Sequence, residues 1–222
     1  MFFHWLEKNP FFFAAGISFV ISFAGLIEIV PNFSKAGQPL VDMKPRTVLE
    51  LAGKNVYMKD NCMACHSQMI RPFKSETDRY GDYSLSGEYA YDRPFLWGSK
   101  RTGPDLHRIG NYRTTDWHEA HMLNPPKIVP GSIMPAYDHQ FSNVADIETA
   151  YAEAVTVKKV FHTPYGPEIK GTQEAWDAYR PTVLAQAKTI AADMKDERVK
   201  SAIAEGNVPE VVALIAYLNS LK

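Results

Sequence analysis

Cys62-Met63-Ala64-Cys65-His66 is the stretch of this 222-residue chain whose residue types and spacing can do chemistry. Two thiols followed at once by an imidazole have the Cys-x-x-Cys-His form of a covalent c-type haem attachment site. Thiols one helical turn apart can add to the two vinyl groups of one porphyrin. The imidazole of His66 is then held under the iron as its proximal ligand. Two blander readings compete. A Cys-x-x-Cys redox pair needs no adjacent histidine and usually sits in a βαβ pattern, which this chain lacks. A tetrahedral zinc site needs further Cys or His at short spacing. Cys62 and Cys65 are the only cysteines, so no pair is left for a disulfide or an all-cysteine zinc site.

Length fits one domain, or one domain with appendages. A net charge of −1 offers nothing to nucleic acid. A c-type haem is attached outside the bacterial cytoplasm or in an equivalent space. The body of the chain is therefore expected on that side of a membrane.

The first thirty residues differ from the rest. Phe11 to Ile27 is an uncharged run bounded by Lys8 and Glu28. Its length lies at the short end of the roughly 17–25 residues that span a bilayer. Phe2, Phe3 and Trp5 extend it as an interfacial aromatic belt. The rival is a cleaved signal peptide, for which Ser22-Phe23-Ala24 offers small residues. Glu7 offsets Lys8, however, so the basic leader segment is weak. Residues 1–30 thus read as a retained single-pass anchor. Gly16, Ser18, Ser22 and Gly25 would let it pack closely on neighbouring helices; ordinary membrane-helix composition accounts for them equally well.

Residues 31–46 read as an extended linker, with Gly37, Pro39 and Pro45 as breakers. Thr47 to Asp60 carries Val48, Leu51, Ala52 and Val56 at helical spacing and delivers Cys62. Residues 71–100 read as a long loop with little regular structure. Its aromatic residues, from Tyr80 to Trp97, suit a partner interface, a cover over the haem, or local packing. Helices are expected over Asp116–Leu123, Val144–Lys159, Gln173–Lys195 (broken or started by Pro181) and Val208–Leu221. Asp196–Glu205 reads as a short polar helix with a solvated surface.

The sixth iron ligand must come from downstream. Met122, Met134, Met194, His107, His118, His121, His139 and His162 are the candidates. Met134 lies between Pro130 and Pro135 in a stiff loop, which can carry a thioether to the far face of the iron. Met122, on a helix, would line the pocket. His118 and His121 share a helix face at i and i+3. Without a third ligand nearby they read as surface or haem-edge histidines.

Several of these segments resemble class I c cytochromes. A helix running into the haem motif is one. Gly103-Pro104-Asp105-Leu106 is another; there the resemblance implies that the Pro104 carbonyl accepts the Nδ1–H of His66 and orients it. Met134-Pro135 has the context of the distal methionine in that group. The resemblance also implies a terminal helix crossing the first, with Ala216 and Tyr217 near Leu51 to Lys54. The fold class is then mainly α: one N-terminal transmembrane helix, and a class I cytochrome c-like domain over residues 47–222. Residues 71–100 and 160–206 are its insertions.

A longer set of motifs is more specific. Cys62 to Pro72, Asp92-Arg93-Pro94, Trp97-Gly98-Ser99-Lys100-Arg101-Thr102-Gly103-Pro104-Asp105-Leu106, Tyr112-Arg113, Asp116-Trp117-His118 and Ser132 to Tyr137 follow in order behind the anchor. This resembles the mono-haem cytochrome c subunit (CcoO/FixO family) of cbb3-type cytochrome c oxidases, over nearly the whole chain. The resemblance implies one haem c, held by Cys62 and Cys65 and ligated by His66 and Met134. It implies electron delivery from a donor cytochrome c to a haem–copper catalytic subunit, which reduces oxygen to water and pumps protons. A further c-type cytochrome subunit and membrane lipid complete the partners. The place implied is the bacterial inner membrane, with the cytochrome domain on the periplasmic side. Arg71 and Arg101 are offered to the haem propionates, and Ser99 to a calcium ion at the subunit interface. Two alternatives remain at this stage: the cytochrome c subunit of nitric oxide reductase, and a free-standing anchored electron carrier.

The purified protein is expected to keep its first thirty residues. N-terminal sequencing checks this, and a mature chain starting near Gly25 would sink the anchor.

Overall fold

The computed structural model describes residues 2–34 and 39–222. Of the linker breakers, Gly37 lies outside the described residues. The structure is mainly helical, and no strand forms among the described residues beyond a single bridge between Val144 and Pro209. Helix α1 (Phe2–Lys8) precedes α2 (Pro10–Ser34). Pro10 to Val30 is long and apolar enough to cross a membrane, and none of it is buried against the rest of the chain. Phe11, Phe19, Ile21 and Ile27 point outward. That is what lipid contact asks of a helix apolar all round. The helix runs past Pro31, where an extended linker was expected to begin. A proline there forgoes one backbone bond in the last turn.

Helix α3 (Val48–Lys59) starts at a capping box. Thr47 Oγ1 accepts from the Glu50 amide at 3.3 Å, and the Glu50 carboxylate accepts from the Thr47 amide at 2.8 Å. The Thr47-x-x-Glu50 spacing satisfies two backbone donors at once. Then come α4 (Lys74–Tyr80), α5 (Thr115–Leu123), the single turn α6 (Pro125–Ile128), α7 (Ile147–Phe161), α8 (Gln173–Ala191), α9 (Glu197–Ala204) and α10 (Glu210–Asn219). Segment 71–100, expected as irregular, contains α4 and a 3₁₀ turn at Ser86–Tyr89. No apolar stripe announces α4, because only Tyr80 of its apolar residues is buried.

Helix α10 is the centre of the domain. Val211 to Leu218 are all buried, with no polar face. A helix of that kind has to be covered on every side. Helix α3 lies closest to it. A Cβ on Gly53 would fall 1.9 Å from the Ala213 carbonyl oxygen and 2.8 Å from Tyr217 Cβ, so the two backbones touch. Tyr57 and Tyr217 pack beside that contact, with ring centroids 5.6 Å apart. The expected approach of the terminal helix to residues 51–54 is thus centred on Gly53.

Helices α7 and α8 cover the remaining face of α3. Helix α8 passes through Pro181, which was expected to break or start it. Pro181 is exposed, so water can take the carbonyl that its missing N–H leaves free. Val183, Ala187, Ala191, Met194, Val199 and Ile203 all join the core. Segment 160–206 therefore widens the core. Its charged residues are solvated, as expected, but α9 buries Val199 and Ile203.

A buried ion cluster ties the end of the linker to this core. Asp92 accepts from Arg46 Nε at 2.9 Å, Arg46 Nη2 at 3.1 Å and Lys54 Nζ at 3.1 Å. Burial lowers the Lys54 pKa, and Asp92 opposes that. Arg46 also donates to Ser220 Oγ at 2.7 Å, and its carbonyl accepts from Tyr165 at 2.9 Å. A carboxylate shared by two cations satisfies charges that would otherwise be costly to bury.

Gly53→Ala forces the α3–α10 contact apart and should cost about 1–3 kcal/mol, the usual range for overpacking a tight core. Thermal unfolding of the purified protein checks it. Gly171→Ala, whose Cβ would meet only Val155 at 3.4 Å, serves as the tolerated control.

Candidate haem-binding site

Helix α3 ends in a turn made by Asn61 at φ 56°, and Cys62–Ala64 follow as one 3₁₀ turn. Cys62 is buried at the edge of the core, whereas Cys65 is exposed. The Cys62 carbonyl accepts from the amides of Cys65 at 3.1 Å and His66 at 2.9 Å. Burial, and then the charge of Asp60, push the Cys62 thiol up to about 12. A thiol so protonated makes a poor thiolate nucleophile.

The imidazole of His66 is oriented by the loop opposite. Its Nδ1 lies 2.8 Å from the Pro104 carbonyl oxygen. A carbonyl can only accept, so Nδ1 carries the proton and the Nε2 lone pair is left for another partner. Burial lowers the His66 pKa, with Pro104 and Asp105 opposing. Gly103 lies flat against the ring: a Cβ there would come within 2.3 Å of His66 Cε1. Gly103 is thus required by packing.

The motif is clamped along its length. Gly103 N donates to Cys65 O at 2.9 Å, and Leu106 N to Ser67 O at 2.8 Å. Asp105 is buried and accepts from Ser67 Oγ at 2.6 Å, Met69 N at 2.8 Å and His107 N at 2.9 Å. Gln68 donates through its amide to Trp97 O at 2.7 Å. Its carbonyl accepts from Tyr89, and its side chain from Tyr217. Tyr57 donates to the His66 carbonyl at 3.3 Å. Gly103, Asp105, Gln68 and Tyr57 were not picked out from sequence. Gly103 and Asp105 stood inside a motif read only for its proline, and Gln68 inside the string that follows the cysteines, so their packing and bonding roles were not assigned.

The loop of Met134 packs against the same core. Met134 is half-buried against the core, and its amide donates to Ser132 Oγ at 3.2 Å. Tyr137 N donates to Met122 O at 2.8 Å, which ties this loop to α5. Burial, then Cys62 and Asp60, raise the Tyr137 hydroxyl to about 12, which puts it beside the cysteine motif. Several other candidate ligands are engaged elsewhere. His107 bonds Ser84 and Tyr89 through Nδ1 and Glu88 through Nε2. His139 pairs with Asp60, and Met194 is core. His162 caps α7 in the left-handed conformation. Met122 is buried in the core behind the loop. Burial lowers His118 to about 4 and also lowers His121.

Arg71 and Arg101, offered to haem carboxylates, are both placed on Glu76. Arg101 also donates to Ser67 Oγ and to Met69 O, each at 2.8 Å. Ser99 is exposed beside Gly98, which turns at φ 67° against Ser67. Among the described residues no cluster of three His, Cys, Asp or Glu is arranged to hold a metal ion.

The residues present fit a c-type haem. One imidazole has its lone pair free and its ring fixed, two thiols lie one turn apart, and a thioether-bearing loop packs beside them.

The hydrogen bond from Arg101, with Arg71 assisting against burial, holds the Glu76 carboxyl down at about 2. A depressed carboxyl stabilises the fold above its unfolded pKa near 4.5. That contribution is lost as the pH falls through the folded value. Acid unfolding is therefore expected to steepen between about pH 4.5 and about 2, and Glu76→Gln should flatten that limb.

The family model described as cytochrome c oxidase, mono-heme subunit/FixO matches residues 3–222. No curated protein matches the chain. With that match over almost its whole length, the chain belongs to the mono-haem FixO family of cytochrome c oxidase subunits, and so to a haem-bearing part of an oxidoreductase complex.

Proposed function

We propose that this chain is the electron-transfer subunit of a cbb3-type oxidase, anchored by α2 with its cytochrome domain on the periplasmic side. Cys62 and Cys65 hold one haem c covalently, and His66 and Met134 ligate its iron. Bound there, the haem supplies one-electron transfer between a donor cytochrome c and the haem b of the haem–copper catalytic subunit. Oxygen reduction belongs to that subunit. The observation that carries this reading is the His66–Pro104 hydrogen bond beneath Gly103. It points the free imidazole nitrogen away from the loop and makes the ligand more basic.

The chain's own tasks are placement, ligation and exclusion of water. Histidine–methionine ligation raises the potential relative to other ligand sets. The exposed stack of Phe95 on Trp97, centroids 4.8 Å apart, is the surface we assign to the catalytic subunit. Trp97 is half-exposed yet fixed edge-on to the buried Tyr89, so it is ordered before it docks. Such rigid aromatics suit interface anchors. A further c-type cytochrome subunit completes the assembly, and a calcium ion near Ser99 belongs to the same interface.

Met134→Ala should keep the covalent haem and lower the midpoint potential, because the soft thioether favours ferrous iron. A spectroelectrochemical titration checks this. A variant indistinguishable from the parent would move the ligand to Met122 or His139.

A further inference from the structure

Helix α5 carries two histidines whose buried nitrogens lack partners. Nε2 of His118 and Nδ1 of His121 have no hydrogen-bond partner among the described residues. His118 is 2% exposed, so water does not replace the missing bond. A buried N–H without an acceptor is costly, and in a native fold it calls for an explanation. The two rings are i and i+3 on one face of the helix. Trp117 fixes them from the side, stacked on His121 at 4.6 Å and edge-on to His118 at 5.4 Å.

This face borders the proposed haem cleft. The Met134 loop is bonded to α5 through Tyr137 and Met122. His66 lies close enough to His121 to disfavour its protonation. Arg113 stands over Trp117 at 4.4 Å, and no carboxylate pairs with it among the described residues. Arg71 and Arg101 differ, since Glu76 engages both. A porphyrin brings two carboxylates wherever it binds. Gln68 Nε2 and Arg93 Nε also lack partners among the described residues, but His118 and His121 are the pair that shares one helix face.

We propose that His118 Nε2 and His121 Nδ1, beneath Arg113, donate to the haem propionates, and that Arg71 and Arg101 do not. This rests on the proposal that Cys62 and Cys65 carry the haem. Neutral imidazoles each give one N–H to a carboxylate oxygen, and Arg113 supplies the positive charge above them. Glu76 keeps the other two guanidiniums in the loop clamp.

The test uses the whole complex purified with its haem. Haem staining after denaturing electrophoresis reads covalent attachment. Resonance Raman reads the propionate-bending band, and a potentiometric titration reads the midpoint potential. His118→Leu and His121→Leu are each expected to keep the stain, move the band and lower the potential. A carboxylate without its donors presents more negative charge and favours the ferric state. The expected shift in the reduction equilibrium is up to about tenfold, about 59 mV for one electron. Where a Leu variant fails to accumulate, His118→Gln and His121→Gln decide, because they keep an N–H. Near-parental band and potential in them support the assignment, and loss of the parental band and potential in both overturns it. An unmoved band and potential in both Leu variants overturn it too, as does a band that moves in Arg71→Gln instead. A parent complex whose chain takes no haem stain overturns the underlying attachment and this assignment together.

Discussion

Everything in the domain depends on how closely α3 can approach α10. The Gly53 backbone lies against the Ala213 carbonyl with no side chain between them. Any Cβ there would separate the helices, because packed interiors have no slack to absorb it. The consequence runs along α3 to its C-terminal end. Tyr57 rests on Tyr217, one turn beyond the contact, and its hydroxyl reaches the His66 carbonyl. The position of the cysteine motif is therefore set by a helix–helix contact in the core, some way from the site itself.

Loops hold the rest of the site, and buried carboxylates hold the loops. Asp105 gathers Ser67, Met69 and His107 on one side chain. Glu76 gathers Arg71 and Arg101, and Asp92 gathers Arg46 and Lys54. Each carboxylate offers more acceptor sites than one donor uses, so it can join segments that share no regular backbone pairing. Burial raises the Asp92 carboxyl, but Arg46 and then Lys54 overcome it and hold the group below its usual range. Charge-assisted bonds of this sort are short and directional. They let a region almost free of strands, and poor in long helices, keep an imidazole in one orientation.

The two sides of the site are built differently. On the His66 side, orientation comes from backbone: Pro104 accepts, Gly103 makes room, and Ser67 pairs with Leu106. On the side proposed for Met134, a proline-flanked loop is braced within itself by the Met134–Ser132 bond and tied to α5 by the Tyr137–Met122 bond. A ring needs its tautomer and plane set, which a single carbonyl does. A thioether has rotatable bonds and needs only to be delivered. Segment 160–206 contributes from behind, because α8 packs on α10 and α9 packs on α8.

Much of this was legible in the residues. The Cys62-to-His66 spacing is the ground of the proposed haem attachment, since a fixed interval is needed to place two thiols and an imidazole around one cofactor. The run Phe11 to Ile27 of α2 declares itself because it is uncharged and mostly apolar. Helical periodicity located α3 and α7 to within a few residues, for each buries a stripe that recurs at the helical period, and the apolar residues of α10 located it although it is buried on every side. Thr47 and Glu50 mark the start of α3, a signal present in the chain though not used. Helix α4 escaped notice because it buries almost nothing apolar, and α8 ran through Pro181 because solvent meets the freed carbonyl. Only the tertiary structure decided the partners. That Glu76 takes Arg71 and Arg101, that Gly103 lies beneath His66, and that His118 and His121 keep unmatched nitrogens are facts of distance between segments. Periodicity and local spacing describe what a residue does to its neighbours in sequence. They carry no information on which distant acceptor will meet a given donor, because that is fixed by how closely α3 and α10 pack and how the loops close around them.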